Sequence, residues 1–141
     1  MTVICWDGKT LAADRMVIDG YTKLPGTKIH RINGELFGSS GCWSTGMARF
    51  DWVRAGMDPA TYPVVSEDQF GRLLRITTNG EIMLYTVNGL PMRYESHFYA
   101  IGSGSEFAMA AMYLGHTAAQ AVHVACELSN ECGMGIDILE L

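Results

Sequence analysis

The chain has 141 residues, a formal net charge of -5 and a hydrophobic content of 48%. This length fits a single domain over residues 1–141, with enough apolar residues for a core that needs neither disulfides nor a metal. No Lys/Arg cluster is longer than two residues and no apolar run approaches the ~20 residues of a membrane span, which argues against nucleic acid or a membrane as a partner. The start of the chain lacks a secretory signal and the four cysteines lack zinc-site spacing, so we expect a cytoplasmic protein without metal or cofactor.

Asx-Gly pairs predict the tight turns of antiparallel hairpins. Such pairs occur at 7–8, 33–34 and 79–80, each between two strand-like runs, and again at 88–89. In chain order, the predicted strands cover residues 2–6, 9–14, 28–32, 35–40, 70–77, 81–87, 97–101 and 135–141. Segment 57–69 contains two prolines and is predicted to be a loop.

Helical spacing of apolar residues predicts three helices. Ser44 is the expected cap of the first, after the fourth strand. Capping boxes predict the starts of the other two, at Ser103 with Glu106 and at Thr117 with Gln120. Strands separated by paired helices indicate an α+β fold, in which two stacked antiparallel sheets lie between helix layers.

Thr2 follows the initiator methionine, and a small second residue normally allows that methionine to be removed. The mature chain would then carry a hydroxyl and a free α-amine on one residue. An α-amino group has a pKa near ~8, so it can act as the general base for the neighbouring hydroxyl. By itself a Met-Thr start is common and fits an ordinary first strand equally well.

Asp14 ends the strand that pairs back toward Thr2, and Lys28 opens the next hairpin. A buried lysine beside the Thr2 hydroxyl would favour the deprotonated nucleophile. Taken singly, Asp14 also fits a strand-end cap and Lys28 a solvated charge at a sheet edge. Gly41 ends a strand before a helix, where a backbone N–H can face a developing oxyanion. The Gly-Ser-Gly-Ser run at 102–105 lacks the third glycine of a dinucleotide-binding motif.

Five segments occur in the order found in proteasome β-subunits and bacterial HslV: LAAD, KIHRI, GSSG before a helix, YAIGSGSEFAMAA and GMGIDILEL. The chain therefore resembles this family of N-terminal-threonine peptidases over nearly its whole length, and its size suits one of the short phage or prophage members. The resemblance implies an αββα N-terminal-nucleophile fold assembled into a homo-oligomeric ring. It also implies roles for five residues: Thr2 as nucleophile and base, Asp14 and Lys28 as the pair that tunes it, Gly41 as the oxyanion-hole glycine, and Ser103 as the partner of the terminal amine.

The chain departs from the family at three places, of which one is a shorter first strand that would put Thr2 slightly past the usual nucleophile position. Ser129 stands where the family's Asp-x-x-Ser-Gly motif has its aspartate, and Cys132 stands where that motif has its serine. Segment 57–69 replaces a longer helical region that helps rings to stack in the family. Because the hydroxyl of Ser129 brings no charge, we expect weaker tuning of the amine.

Three functions are compatible with these residues. The first is a threonine-type endopeptidase that acts on peptides or unfolded proteins from a ring, with or without an unfolding ATPase. The second is a catalytically inactive ring that serves as a scaffold or interaction protein. The third is a small-molecule amidohydrolase that works as a monomer or dimer.

Overall fold

The computed structural model describes residues 1–141 and contains eleven strands and three α-helices. The strands are β1 (Ile4–Trp6), β2 (Thr10–Asp14), β3 (Met16–Asp19), β4 (Thr22–Pro25), β5 (Ile29–Ile32), β6 (Glu35–Gly41), β7 (Gly71–Ile76), β8 (Ile82–Tyr85), β9 (Met92–Tyr94), β10 (Tyr99–Ile101) and β11 (Ile136–Glu140). The helices are α1 (Trp43–Arg54), α2 (Ser105–Tyr113) and α3 (Ala118–Leu128), and two short 3-10 turns cover Pro59–Thr61 and Glu67–Gln69. None of these helices has the length and apolar character needed to cross a bilayer.

The strands form three antiparallel sheets. A four-stranded sheet has the order β10-β1-β2-β11, and a five-stranded sheet has the order β5-β6-β7-β8-β9. The third sheet is the isolated hairpin of β3 and β4, in which Asp19 pairs with Thr22. The α+β class is thus as expected, with the three predicted Asx-Gly hairpins all present.

Three clusters of buried apolar side chains hold these elements together. The first lies between the four-stranded sheet and helices α2 and α3, and includes Val3, Ala12 and Ala121. The second lies between the two larger sheets and includes Trp6 and Leu74. A third lies between the five-stranded sheet and α1. Each larger sheet therefore packs on both faces, which explains why β1 is buried at every position.

Two of the predicted helix starts are wrong and one is confirmed. Thr117 caps α3 with the full capping box to Gln120. Ser44 lies inside α1, whose N-cap is Cys42, and α2 begins after Gly104 without any side-chain cap. Ser103 is not the cap of α2 because its hydroxyl is used in a contact with the first residues of the chain, described below.

The β3–β4 hairpin and strand β9 are absent from the sequence-based prediction. Asp19-Gly20 is an Asx-Gly pair like the others, and Gly20 has the positive φ of 60° that this turn requires. The hairpin escapes a pattern-based prediction because every residue of β4 is exposed, so β4 carries no buried apolar face. Three residues of β3 line the same depression as Thr2, which makes this hairpin relevant to the candidate site.

Candidate active site

Asp14 and Lys28 form a fully buried ion pair at one end of the four-stranded sheet. Their side chains are 0% and 3% exposed, and Lys28 Nζ lies 2.8 Å from Asp14 Oδ1. The same Oδ1 accepts the backbone N–H of Val3 at 3.0 Å, whereas Oδ2 accepts those of Met16 at 3.2 Å and Gly133 at 3.1 Å. This carboxylate therefore joins β1, β3 and the segment before β11, and it compensates the buried ammonium beside it.

Thr2 lies next to this pair and is only 5% exposed. Lys28 Nζ donates a second hydrogen bond, 3.1 Å long, to the carbonyl oxygen of Met1. The Thr2 hydroxyl donates to the same oxygen at 2.5 Å. The Met1 carbonyl oxygen thus accepts from both groups and links the hydroxyl to the ammonium.

The turn between β10 and α2 holds the backbone of Thr2 from the other side. The Thr2 N–H donates to Ser103 Oγ at 3.0 Å, and Gly104 N–H donates to the Thr2 carbonyl at 3.0 Å. Gly102 has a φ of 99°, and a Cβ at that position would overlap the Thr2 carbonyl oxygen. The glycines of the Gly-Ser-Gly run therefore allow this turn to approach Thr2 closely, and the Ser103 hydroxyl contacts the Thr2 nitrogen.

Gly41 and Cys42 form the opposite wall of the site, where β6 turns into α1. Gly41 has a φ of 100°, and any side chain there would overlap the carbonyl oxygen of Phe70. Cys42 follows as the N-cap of α1, with its Sγ 3.2 Å from Ser44 Oγ. Chiefly because of this hydrogen bond, the pKa of Cys42 is lowered to about 7.

Clefts open on two sides of Thr2. On one side there are two adjoining depressions. The apolar depression lies between Thr2 and α1, and the β3 depression is bounded by β3. The apolar depression has about 300 Å³ of space and is lined by Thr2, Lys28, Ser39, Gly41, Cys42, Trp43, Gly46, Met47 and Phe50. The cleft on the other side is bounded by Ser40, Gly41, Phe70, Arg72, Gly102 and Ser103. Met1 lines both the β3 depression and the Ser103 cleft.

Of the five candidate residues, four are joined by hydrogen bonds into one cluster: Thr2, Asp14, Lys28 and Ser103, with the Met1 carbonyl as the link between Thr2 and Lys28. Gly41 lines the clefts on both sides of Thr2.

Ser129 and Cys132 take no part in this cluster. Ser129 ends α3 and accepts the N–H of Glu131, whereas Cys132 is packed in the core beside Gly104. Burial, and to a smaller extent Asp14, raises the pKa of Cys132, so it is an inert thiol.

Residues outside the five candidates complete the site. Gly133, which stands at the glycine of the family's Asp-x-x-Ser-Gly motif, supplies a backbone donor to Asp14. Trp43 and Met47 project from the first turns of α1 into the apolar depression, and both are 45% exposed. Arg72 lies in β7 opposite Ser40 and faces the cleft on the Ser103 side.

This arrangement is suited to acyl transfer at residue 2. In the present state the Thr2 nitrogen belongs to a peptide bond and stands in for the free amine of a chain without Met1. That amine would keep its 3.0 Å contact with Ser103 and lie on the same residue as the hydroxyl. A fixed ammonium beside a hydroxyl stabilises the alkoxide, and a neighbouring amine can accept its proton.

Comparison with solved structures shows the same fold in known proteins. The BPH protein of Thiobacillus denitrificans superposes with a TM-score of 0.77 at 20% identity, covering 100% of this chain and 98% of that chain. Eukaryotic HslV from Trypanosoma brucei gives 0.73 at 20% identity, covering 99% and 98%. Anbu, described as an ancestral beta-subunit, from Yersinia bercovieri gives 0.74 at 11% identity, covering 100% and 81%. No protein-family model and no curated protein sequence matches the chain.

Proposed function

We propose that the protein is a threonine-type endopeptidase that works from a homo-oligomeric ring, with Thr2 as its nucleophile once Met1 is removed. Residues 1–141 form a single proteasome-like domain in this proposal. The three core clusters support a four-layer order, with α2 and α3 on one side, the two larger sheets in the middle and α1 on the other side. The likeness to HslV and BPH over the full chain length supports the same assignment.

The observation that carries the proposal is the polar network around Thr2, which is only 5% exposed. Its N–H donates to Ser103, and its hydroxyl shares the Met1 carbonyl oxygen with Lys28, which pairs with Asp14. Burying an ion pair generally costs as much free energy as it returns, so its place beside a chain terminus needs a reason other than stability. A role in activating the terminal threonine supplies that reason.

The reaction begins when the Thr2 amine takes the proton of Oγ1, directly or through a water molecule. Oγ1 then attacks the carbonyl carbon of the scissile peptide bond, and the electron pair of the carbonyl moves to its oxygen. Lys28 stabilises the charge on Oγ1, because its ammonium loses the Met1 carbonyl as a partner when Met1 leaves. The backbone N–H of Gly41 is the proposed donor to the oxyanion.

Collapse of the tetrahedral intermediate breaks the C–N bond. The leaving nitrogen takes the proton from the Thr2 ammonium, and an ester of Thr2 remains. Water, deprotonated by the same amine, then attacks the ester and regenerates the hydroxyl. The chain's own groups therefore suffice for both half-reactions.

Assembly into a ring would confine this chemistry to peptides and unfolded chains. Exposed apolar side chains on α2 and at the ends of α2 and α3 support contacts between copies, namely Phe107, Tyr113, Leu114 and Leu128. Such a ring would act with or without an unfolding ATPase. Size-exclusion chromatography with light scattering tests the assembly, since a ring has many times the 15.5 kDa mass of one chain.

A catalytically inactive ring is the second candidate. It is favoured by Ser129, whose hydroxyl accepts the N–H of Glu131 and brings no negative charge to the amine. In this case Thr2→Ala would leave the biological role intact.

Intact-mass spectrometry followed by covalent labelling separates the two candidates. BPH of Thiobacillus denitrificans has been solved in complex with epoxomicin, so this compound is the natural probe. We expect loss of Met1, a single epoxomicin adduct on Thr2 and cleavage of unfolded casein. Thr2→Ala should abolish the adduct and the cleavage, whereas Thr2→Ser, which keeps a hydroxyl, should retain part of both. A mature chain that still carries Met1 would refute the mechanism.

A further inference from the structure

The cleft on the Ser103 side of Thr2 contains one charged side chain. Its lining residues are Met1, Ser40, Gly41, Phe70, Arg72, Gly102 and Ser103. Arg72 is exposed and forms neither a salt bridge nor a side-chain hydrogen bond in the structure. Since the chain as a whole has a net charge of -5, an unpaired cation beside the candidate nucleophile is a local exception.

Arg72 is held in place at its base and along its side chain. Its backbone lies in β7, where it pairs with Ser40 of β6, the residue before Gly41. Its guanidinium lies 5.7 Å from the centre of the Phe70 ring, within the range of a cation–π contact. This contact orients the charge without neutralising it, so the guanidinium keeps its N–H donors for a ligand.

The chemistry of the proposed reaction assigns this cleft to one half of the substrate. The nitrogen of the leaving group must receive its proton from the Thr2 amine, so it lies on the side of that amine. Ser103 marks that side, because its hydroxyl contacts the Thr2 nitrogen at 3.0 Å. The cleft that contains Ser103 and Arg72 therefore accommodates residues that follow the cleaved bond.

We propose that Arg72 selects substrates with an acidic side chain, or a free carboxylate, within the first two residues after the cleaved bond. This inference rests on the proposed peptidase function. The carboxylate would bind the guanidinium in the planar, two-pronged geometry that Arg favours. No acidic residue lines the cleft to oppose it.

The test measures cleavage preference with a degenerate peptide library, in which mass spectrometry identifies the cut sites. We expect a preference for Glu over Gln after the cut of about three- to tenfold, on the scale of a partly exposed ion pair. It should fall to about one in Arg72→Gln and below one in Arg72→Glu. It should also shrink between 50 mM and 500 mM salt, which a merely structural role would not produce.

Arg54→Gln is the matched control, since Arg54 is an exposed arginine at the end of α1 that pairs with Asp51 and does not line the cleft. Its preference should equal that of the unmodified protein. An Arg72→Gln variant with an unchanged preference would overturn the inference while leaving the peptidase function in place. A change in particle mass with an unchanged preference would also overturn it, because Arg72 would then act between subunits.

Binding without turnover keeps the inference testable if the peptidase function fails. In the Thr2→Ala background, fluorescence anisotropy compares two labelled five-residue peptides that differ only in Glu or Gln. We expect the Glu peptide to bind about three- to tenfold more tightly, and the difference to vanish when Arg72→Gln is added. Equal affinities in the Thr2→Ala protein would overturn the inference. Absence of epoxomicin labelling in the unmodified protein would refute only the peptidase function.

Discussion

Breaking the Asp14–Lys28 pair should destabilise the protein strongly, and removing both charges should restore part of the loss. Because the two side chains are 0% and 3% exposed, solvent screening does not reduce the effect. Leaving one buried charge without its partner costs about 3–5 kcal/mol of unfolding free energy.

The two single variants should differ for a reason visible in the hydrogen bonds. Lys28→Met leaves the carboxylate with three backbone N–H donors, from Val3, Met16 and Gly133, so we expect a cost of about 3 kcal/mol. Asp14→Asn keeps an acceptor oxygen but removes the negative charge that compensates the ammonium, whose other hydrogen-bond partner is the uncharged Met1 carbonyl at 3.1 Å. We expect about 4–5 kcal/mol for Asp14→Asn.

The double variant Asp14→Asn/Lys28→Met carries no buried charge, so it should lose only about 1–2 kcal/mol, less than either single variant and well short of the sum of the single losses. Urea unfolding followed by tryptophan fluorescence measures all four free energies. The protein concentration must be held constant, because assembly contributes to stability. Two single losses below about 1 kcal/mol that simply add would show that the pair is solvated and would refute the buried cluster.

Three further predictions follow from the packing and the pKa values. Gly102→Ala should lower the unfolding free energy by about 3 kcal/mol in thermal melts, because the added Cβ would overlap the Thr2 carbonyl. Gly115→Ala is the control: this glycine has a similar φ of 95° but open space around it, so the variant should lose only about 1–2 kcal/mol. Alkylation of Cys42 by iodoacetamide, followed by peptide mass spectrometry, should reach half its maximal rate near pH 7, and Ser44→Ala should move that midpoint upward because it removes the hydrogen bond that lowers the pKa. A midpoint near 9 in the unmodified protein would contradict this assignment. Leu74→Ala, between the two larger sheets, should cost about 2–5 kcal/mol in urea unfolding, and a loss under 1 kcal/mol would contradict its full burial.

Local signals predicted the elements whose ends are fixed by local contacts. The capping box of α3 joins Thr117 and Gln120, three residues apart, so the sequence contains both partners. The same pattern at Ser103 and Glu106 failed, because the Ser103 hydroxyl binds the Thr2 nitrogen, 101 residues away. A capping prediction considers only residues that are close in sequence, so it misses a hydrogen-bond partner from a distant part of the chain.

The site could be expected only in part. Asp14 at the end of β2 and Lys28 before β5 were marked by the resemblance to the proteasome family, and hairpin geometry placed Asp14 beside the start of the chain. Arg72 gave no signal, because an exposed arginine on a strand is ordinary until its neighbours across the sheet are known. Cys42 likewise gained its lowered pKa from Ser44 and the start of a helix whose first turn was misplaced by sequence.

At Gly41, intolerance to substitution would be misleading evidence for a catalytic role. Its positive φ and its tight approach to Phe70 and Gly71 make glycine obligatory for packing alone. A mutational scan that scores only abundance would therefore mark position 41 as intolerant even in a scaffold that never cleaves a bond. The Thr2 hydroxyl forms a hydrogen bond only with the Met1 carbonyl, so Thr2→Val would pass the same scan. Selection for turnover and selection for abundance should diverge at residue 2 and agree at residue 41.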